Sequence, residues 1–164
     1  MERCYKYLDT LIYAILVMIL VVMLVVGGMQ VFWRYLLSNS LSWSEELLRY
    51  LYIWATMLGI CMGIRVKALA VVSSFTEFIA KKSEVLKNIL VIINFIIQIG
   101  LFVILAIYGW ELSMKTMGQV SASMKFLKMG IVYLALPVGS VLALIYTFDE
   151  IHTYFKMEKD KSLQ

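Results

Sequence analysis

Three long stretches of this sequence carry no charged side chain. They cover residues 10–33, 88–110 and 129–148, and contain 24, 23 and 20 residues. Because a helix needs about 20 apolar residues to cross the hydrocarbon core of a bilayer, each stretch is long enough to be a transmembrane helix. We therefore expect an all-α integral membrane protein.

A fourth apolar stretch lies between Arg49 and Arg65 and contains 15 residues. At about 1.5 Å per residue it covers ~22 Å, which is short of the ~30 Å hydrocarbon core. The helix must therefore include one or both arginines, which can snorkel toward the headgroups or form ion pairs inside a bundle. We predict four transmembrane helices over about residues 8–33, 44–66, 88–110 and 129–149, in a single membrane domain covering residues 1–164.

The composition agrees with a membrane protein and excludes other classes. The chain is 62% hydrophobic and 16% charged, whereas soluble domains are about 45–50% apolar and about 25% charged. This composition argues against a soluble enzyme. The net charge of +4 comes from lysines and arginines that are scattered rather than clustered, which argues against a nucleic-acid-binding protein. Cys4 and Cys61 lie far apart and form no CxxC pair. We predict no catalytic, cofactor-binding or metal-binding residue.

The lysines and arginines predict the orientation of the spans. Ten of them lie in the N-terminal segment, the second connection and the C-terminal segment, and five lie in the first and third connections. Since cytoplasmic loops carry the excess of positive charge, both termini are expected in the cytoplasm. The first apolar run is too long for a signal peptide, so we expect it to be a retained anchor.

The second connection predicts a short helix over about residues 69–81. Apolar residues recur there at helical spacing with polar residues between them, which favours a helix lying in the membrane interface with its apolar side in the phospholipid. A solvated connector is the alternative. The apolar positions are Val71, Val72, Phe75, Phe78 and Ile79.

Polar residues are rare inside the spans. The first, third and fourth spans contain no Asp, Glu, Lys, Arg or His in their interiors, although transport chemistry usually requires an ionisable residue facing a cavity. Asn94 and Gln98 are four residues apart and share a helix face, where they serve either helix packing or substrate contact.

Small residues at intervals of four predict close helix packing, at Ala55, Gly59 and Gly63 in the second span and at Ala135, Gly139 and Ala143 in the fourth. Pro137 should bend the fourth helix.

Residues 30–65 are the most informative part of the sequence. Ser42 followed by Glu45 has the spacing of a capping box, which predicts that a helix begins near Trp43. Glu45 and Glu46 precede Arg49 by four and three residues, so we expect them to pair with it on one helix face. This segment is either a solvated helix entry or a surface that docks on another helix.

The same segment resembles the small membrane subunit of tripartite ATP-independent periplasmic (TRAP) transporters. The first matching residues are Arg34-Tyr35, Asn39, Ser40-Leu41, Trp43, Glu45-Glu46-Leu47, Arg49-Tyr50, Trp54, Gly59 and Arg65. Weaker agreement continues through Tyr108-Gly109, Gln119, Tyr133 and Pro137-Val138-Gly139. The sequence departs from the family after the second span, where Leu69, Ala70 and Ser73 replace a His, an Ile and an Asp, and this puts in doubt any role of that His.

The resemblance implies a four-helix subunit in the bacterial inner membrane, encoded apart from its partners. Those partners would be a large membrane subunit of about twelve helices and a periplasmic substrate-binding protein that delivers an organic acid, such as a C4-dicarboxylate or a sialic acid. The large subunit would move the substrate by a sodium-driven elevator motion, and the small subunit would be a non-catalytic scaffold. Candidate docking residues are Arg34, Trp43, Glu45, Glu46, Arg49, Tyr50 and Trp54.

Other functions remain open at this point. A free-standing small transporter or channel would need a pore built from Gln30, Thr56, Asn94 and Gln98. A membrane thiol oxidoreductase would need paired periplasmic cysteines, whereas Cys4 and Cys61 are expected at or near the cytoplasmic side. An assembly factor for another membrane complex is the third alternative.

Overall fold

The computed structural model describes residues 2–36, 41–66 and 84–161. Within these ranges the only β pairing is one isolated bridge between Val120 and Lys128. The helices are α1 (Glu2–Leu36), α2 (Ser42–Arg65), α3 (Glu84–Thr116), α4 (Met129–Tyr133) and α5 (Ala135–Lys161).

Four segments of these helices are long and apolar enough to cross a membrane. They are Lys6–Leu36, Ser42–Arg65, Asn88–Thr116 and Met129–Lys156, the last of which combines α4 and α5. The prediction of an all-α protein with four transmembrane helices is therefore confirmed. The helix expected over about 69–81 lies outside the described residues, as do Leu69, Ala70 and Ser73.

The start of α2 differs from the expected capping box. The helix begins at Ser42, its N-cap is Leu41, and no side chain caps it. The Ser44 hydroxyl donates instead to the Leu41 carbonyl, at 2.7 Å. Glu45 does not reach back to the N-cap because its carboxylate accepts a hydrogen bond from Gln30 on α1, at 3.1 Å.

The helix of the fourth span is interrupted at Leu134, three residues before Pro137. Leu134 separates α4 from α5, and its N–H donates to the Gly130 carbonyl at 3.0 Å. Pro137 has no N–H to donate to the carbonyl four residues earlier, which belongs to Tyr133. The backbone hydrogen bonding is continued by the N–H of Val138, which donates to the Leu134 carbonyl at 3.1 Å.

The main contacts among the four spans link them in the order α1, α2, α5, α3. Helix α2 packs against α1 on one side and α5 on the other, and α3 packs against α5. Consequently the spans of α2 and α5 are more buried than those of α1 and α3. Ile12, Cys61, Phe102 and Tyr146, one from each of the four helices, belong to the main hydrophobic core.

Three glycines allow backbones to approach closely. A Cβ at Gly139 on α5 would lie 2.6 Å from the Cβ of Met57 on α2, and one at Gly109 on α3 would lie 2.8 Å from the Cβ of Leu136 on α5. A Cβ at Gly130, at the start of α4, would lie 2.8 Å from the carbonyl oxygen of Ser113 on α3. Since these contacts leave no room for a side chain, glycine sets the helix spacing at each position.

Candidate partner-binding surface

One face of α2 is exposed along most of the helix. Its exposed residues follow each other at intervals of four, three, four and four, which places them on one side of the helix. We call this set the α2 stripe, and it consists of Glu45, Arg49, Tyr52, Thr56 and Ile60. The stripe lies between the contacts with α1 and α5, so the described residues leave this face of α2 uncovered.

The α2 stripe is polar in the middle of a membrane-spanning helix. Tyr52 is 63% exposed and lies about 15 Å along α2 from Ser42 and about 20 Å from Arg65, at 1.5 Å per residue. Its hydroxyl has no hydrogen-bond partner among the described residues, whereas the Thr56 hydroxyl donates to the Tyr52 carbonyl at 2.8 Å. The sequence predicted docking residues on either side of Tyr52 and missed Tyr52 itself, which the spacing from Glu45 and Arg49 would have revealed.

The predicted docking residues divide into exposed and internal side chains. Arg34, Trp43, Glu45 and Arg49 are exposed, and Trp54 is half-buried. Arg34 lies one turn beyond Gln30 on α1, and Gln30 is bonded to Glu45, so Arg34 lies near the first turns of α2. The expected ion pairs between Arg49 and the two glutamates are not formed within the described ranges, because both carboxylates bond elsewhere.

Glu46 and Tyr50 are turned toward the loop that joins α3 to α4. The Tyr50 hydroxyl donates to one carboxylate oxygen of Glu46, and the other oxygen accepts the backbone N–H of Ser123 at 2.8 Å. Tyr50 is 6% exposed and packs with Met124 and Val132 in a second, smaller core. These two residues therefore attach the loop to the start of α2, and their side chains do not belong to the exposed stripe.

A cluster of charges joins three helices at the other end of α2. Arg65 donates to Asp149 on α5 at 2.6 Å and to Asp9 on α1 at 3.0 Å. The Tyr146 hydroxyl on α5 donates to the second oxygen of Asp9, also at 2.6 Å. The three charged side chains are half-buried, and Arg65 thus pairs within the bundle, which was one of its two expected environments.

The predicted helix-packing residues have different surroundings. Ala55, Ala135, Gly139 and Ala143 are buried, and Ala135 and Ala143 are fully enclosed. A Cβ at Gly59 or Gly63 would meet no heavy atom within 4 Å, so neither glycine has a close neighbour among the described residues.

The two predicted amides are half-buried on α3. The side-chain oxygen of Gln98 is enclosed without a hydrogen-bond partner among the described residues, and Asn94 lies one turn away on the same helix face. The expected interhelical bond is therefore not made through this oxygen. Among the described residues, no group of three or more His, Cys, Asp or Glu is placed to hold a metal ion.

A comparison with protein families gives the family of the chain. A family model described as "Tripartite ATP-independent periplasmic transporters, DctQ component" matches residues 22–156, which is most of the chain. The chain belongs to the DctQ family. A search of curated proteins gives no match.

Membership of the DctQ family confirms the resemblance seen in residues 30–65. The protein is a small component of a TRAP transporter and a multi-pass membrane protein. The matched range contains the whole of the α2 stripe and the loop held by Glu46. Of the charge cluster it contains Arg65 and Asp149, while Asp9 lies before it. Since such transporters are tripartite, this DctQ component functions together with two other components.

Proposed function

We propose that this chain is a scaffold subunit that docks on the large membrane subunit of its transporter through the α2 stripe. The proposal places both termini in the cytoplasm and the beginning of α2 near the periplasmic face, as the positive charges predict. The stripe is the largest departure from lipid-compatible chemistry on the described surface of α2, which makes it the best candidate for a protein contact.

The exposed hydroxyl of Tyr52 is the single observation that carries this proposal. Tyrosine is enriched at the two interfaces of a membrane, where its hydroxyl meets water or headgroups. At the midpoint of a span the same hydroxyl would face hydrocarbon, and a polar group without a hydrogen-bond partner there costs about 2 kcal/mol or more. A helix of another subunit would supply the missing partner and cover the ring at the same time.

The charged end of the stripe adds orientation to this contact. Glu45 and Arg49 are exposed on neighbouring turns, and Arg34 lies close to them on α1. Exposed charge pairs contribute little to affinity, but they restrict how two surfaces align, because wrongly placed like charges repel. We therefore propose that these three residues determine how the two subunits align, and that the part of the stripe around Tyr52 provides most of the binding affinity.

The scaffold role includes the absence of transport by this chain alone. Family membership supports a role within an importer, and the resemblance implies organic acids as its substrates and a sodium gradient as its energy source. Three charged residues on the spans support this division of labour, since Arg65, Asp9 and Asp149 are engaged with one another. On this proposal the substrate and sodium sites lie in the large subunit.

Charge reversal tests the docking surface. Arg49→Glu and Glu45→Lys should each lower the amount of large subunit that co-purifies with this chain after co-expression. Lys156→Glu is the control, because Lys156 is exposed at the opposite end of the molecule. Full recovery with both stripe variants, or an equal loss with Lys156→Glu, would remove the charged end of the stripe from the docking surface.

Uptake into proteoliposomes tests the scaffold role separately. Vesicles that contain this chain alone should show no sodium-dependent uptake of organic acids, even with the binding protein added. Vesicles that contain both membrane subunits and the binding protein should show it. Uptake by this chain alone would contradict the scaffold role and favour a free-standing transporter.

A further inference from the structure

The loop between α3 and α4 is folded by its own backbone hydrogen bonds. Gln119 donates to the Thr116 carbonyl at 3.0 Å, Met129 donates to the Gln119 carbonyl at 2.9 Å, and Ser121 donates to the Leu127 carbonyl at 2.9 Å. The bond from Ser123 to Glu46 then fixes this loop, residues 117–128, to α2. The loop is therefore a compact structure with a defined inner and outer side.

The loop has a buried inner side and an exposed outer side, and its buried residues, Ser121 and Met124, are three positions apart. Met124 is buried, and it packs with Leu127 against Tyr50. Phe126 points away from this core and is 83% exposed, and both Lys125 and Lys128 are exposed. No salt bridge involves either lysine within the described part of the chain. The outer side of the loop thus presents one large apolar ring between two positive charges.

The position of the loop brings this outer side close to the membrane. The loop is flanked by Thr116 and Met129, which are the last residue of one membrane-spanning segment and the first residue of the next. Since the backbone turns back within a few residues of each end, the loop remains near the membrane surface. An aromatic ring at the boundary of hydrocarbon and headgroups with lysines beside it is typical of segments that bind anionic lipid surfaces.

We propose that the outer side of the 117–128 loop binds the phospholipid surface. The ring of Phe126 enters the boundary between headgroups and acyl chains, while Lys125 and Lys128 contact anionic headgroups. The loop would then hold this end of α2, to which Glu46 attaches it, at a fixed depth in the bilayer. This inference requires that the chain spans a membrane, but it is independent of the docking of the α2 stripe.

Spin labels on the full chain test this proposal. Cys4→Ser leaves Cys61, which is fully buried and inaccessible to the label. A label is introduced by Phe126→Cys, and in a second sample by Ala122→Cys, an exposed position on the same loop. Collisions with oxygen and with a water-soluble nickel complex are measured in vesicles of phosphatidylcholine with and without phosphatidylglycerol. Size-exclusion chromatography checks that each variant is folded.

The label at position 126 should collide severalfold less often with the nickel complex than the label at 122, and more often with oxygen. Phosphatidylglycerol should increase this difference, and Lys125→Gln combined with Lys128→Gln should abolish the increase. Equal exposure of the two labels to the nickel complex in both kinds of vesicle would overturn the proposal and leave the loop available to a soluble protein. Shielding at 126 that neither phosphatidylglycerol nor the lysines affect would overturn it as well.

Discussion

The guanidinium of Arg65 lies 2.6 Å from the carboxylate of Asp149. The same guanidinium also pairs with Asp9, so one residue at the end of α2 joins α1 near its start to α5 near its middle, although both carboxylates are far from Arg65 in the sequence. Because α2 packs against both α1 and α5, this cluster fixes the relative register of these three helices.

Loss of Arg65 should destabilise the bundle. Arg65→Met leaves two carboxylates facing each other without a cation, whereas Arg65→Lys retains the charge with fewer hydrogen bonds. The three side chains are 24–33% exposed, so we expect a loss of about 2 kcal/mol for Arg65→Met, below the ~3–5 kcal/mol typical of fully buried pairs. Unfolding in mixed detergent micelles measures the free energy.

A combined variant provides the control for this prediction. Adding Asp9→Asn and Asp149→Asn to Arg65→Met removes the uncompensated negative charges and should recover part of the lost stability. If Asp9→Asn and Asp149→Asn destabilise the Arg65→Met variant as much as they destabilise the unchanged chain, the cluster does not act as one unit.

Loss of the Glu46 carboxylate should release the 117–128 loop. Glu46→Ala removes the acceptor of the Ser123 N–H and of the Tyr50 hydroxyl. A hydrogen bond to a charged group is worth about 1.5–3 kcal/mol, so hydrogen exchange at the Ser123 amide should become at least about tenfold faster. Glu45→Ala is the matched control, because that carboxylate bonds Gln30 instead. An equal acceleration in both variants would show that Glu46 does not hold the loop.

The glycines of α2 and α5 should respond differently to an added methyl group. Gly139→Ala would place a Cβ 2.6 Å from the Cβ of Met57, and the two helices would have to separate. We expect it to cost about 1–3 kcal/mol of the free energy of unfolding. Gly59→Ala meets no neighbour within 4 Å, so it should be neutral or stabilising by up to about 1 kcal/mol. A larger loss for Gly59→Ala would contradict the helix arrangement.

The sequence predicts the spans better than their packing. Apolar stretches depend only on local composition, and the structure has four helices long and apolar enough to cross a membrane, as predicted. The order α1, α2, α5, α3 depends on contacts between distant residues, such as Met57 with Gly139, which no local pattern contains. Close approach at Gly109 was missed because its partners, Leu136 and Pro137, lie on another helix.

The candidate site shows the same division. The spacing of Glu45 and Arg49 predicted a shared face, which both residues indeed occupy, but not the competing partners that prevent their pairing. Ion pairing was one of the two environments expected for Arg65, but its partners were missed because orientation rules count lysines and arginines and give little weight to acids. Asp9 and Asp149, which flank the first and last charge-free stretches, were the signal that could have revealed it.

The most direct test of the proposed scaffold role compares two tyrosines. Tyr52 on α2 and Tyr108 on α3 are 63% and 65% exposed, but only Tyr52 belongs to the α2 stripe. Both are replaced by leucine, which suits lipid, and the large subunit that co-purifies with each variant is quantified against the unchanged chain. We expect a clear loss with Tyr52→Leu and full recovery with Tyr108→Leu. Full recovery with Tyr52→Leu, or an equal loss with Tyr108→Leu, would contradict docking through α2.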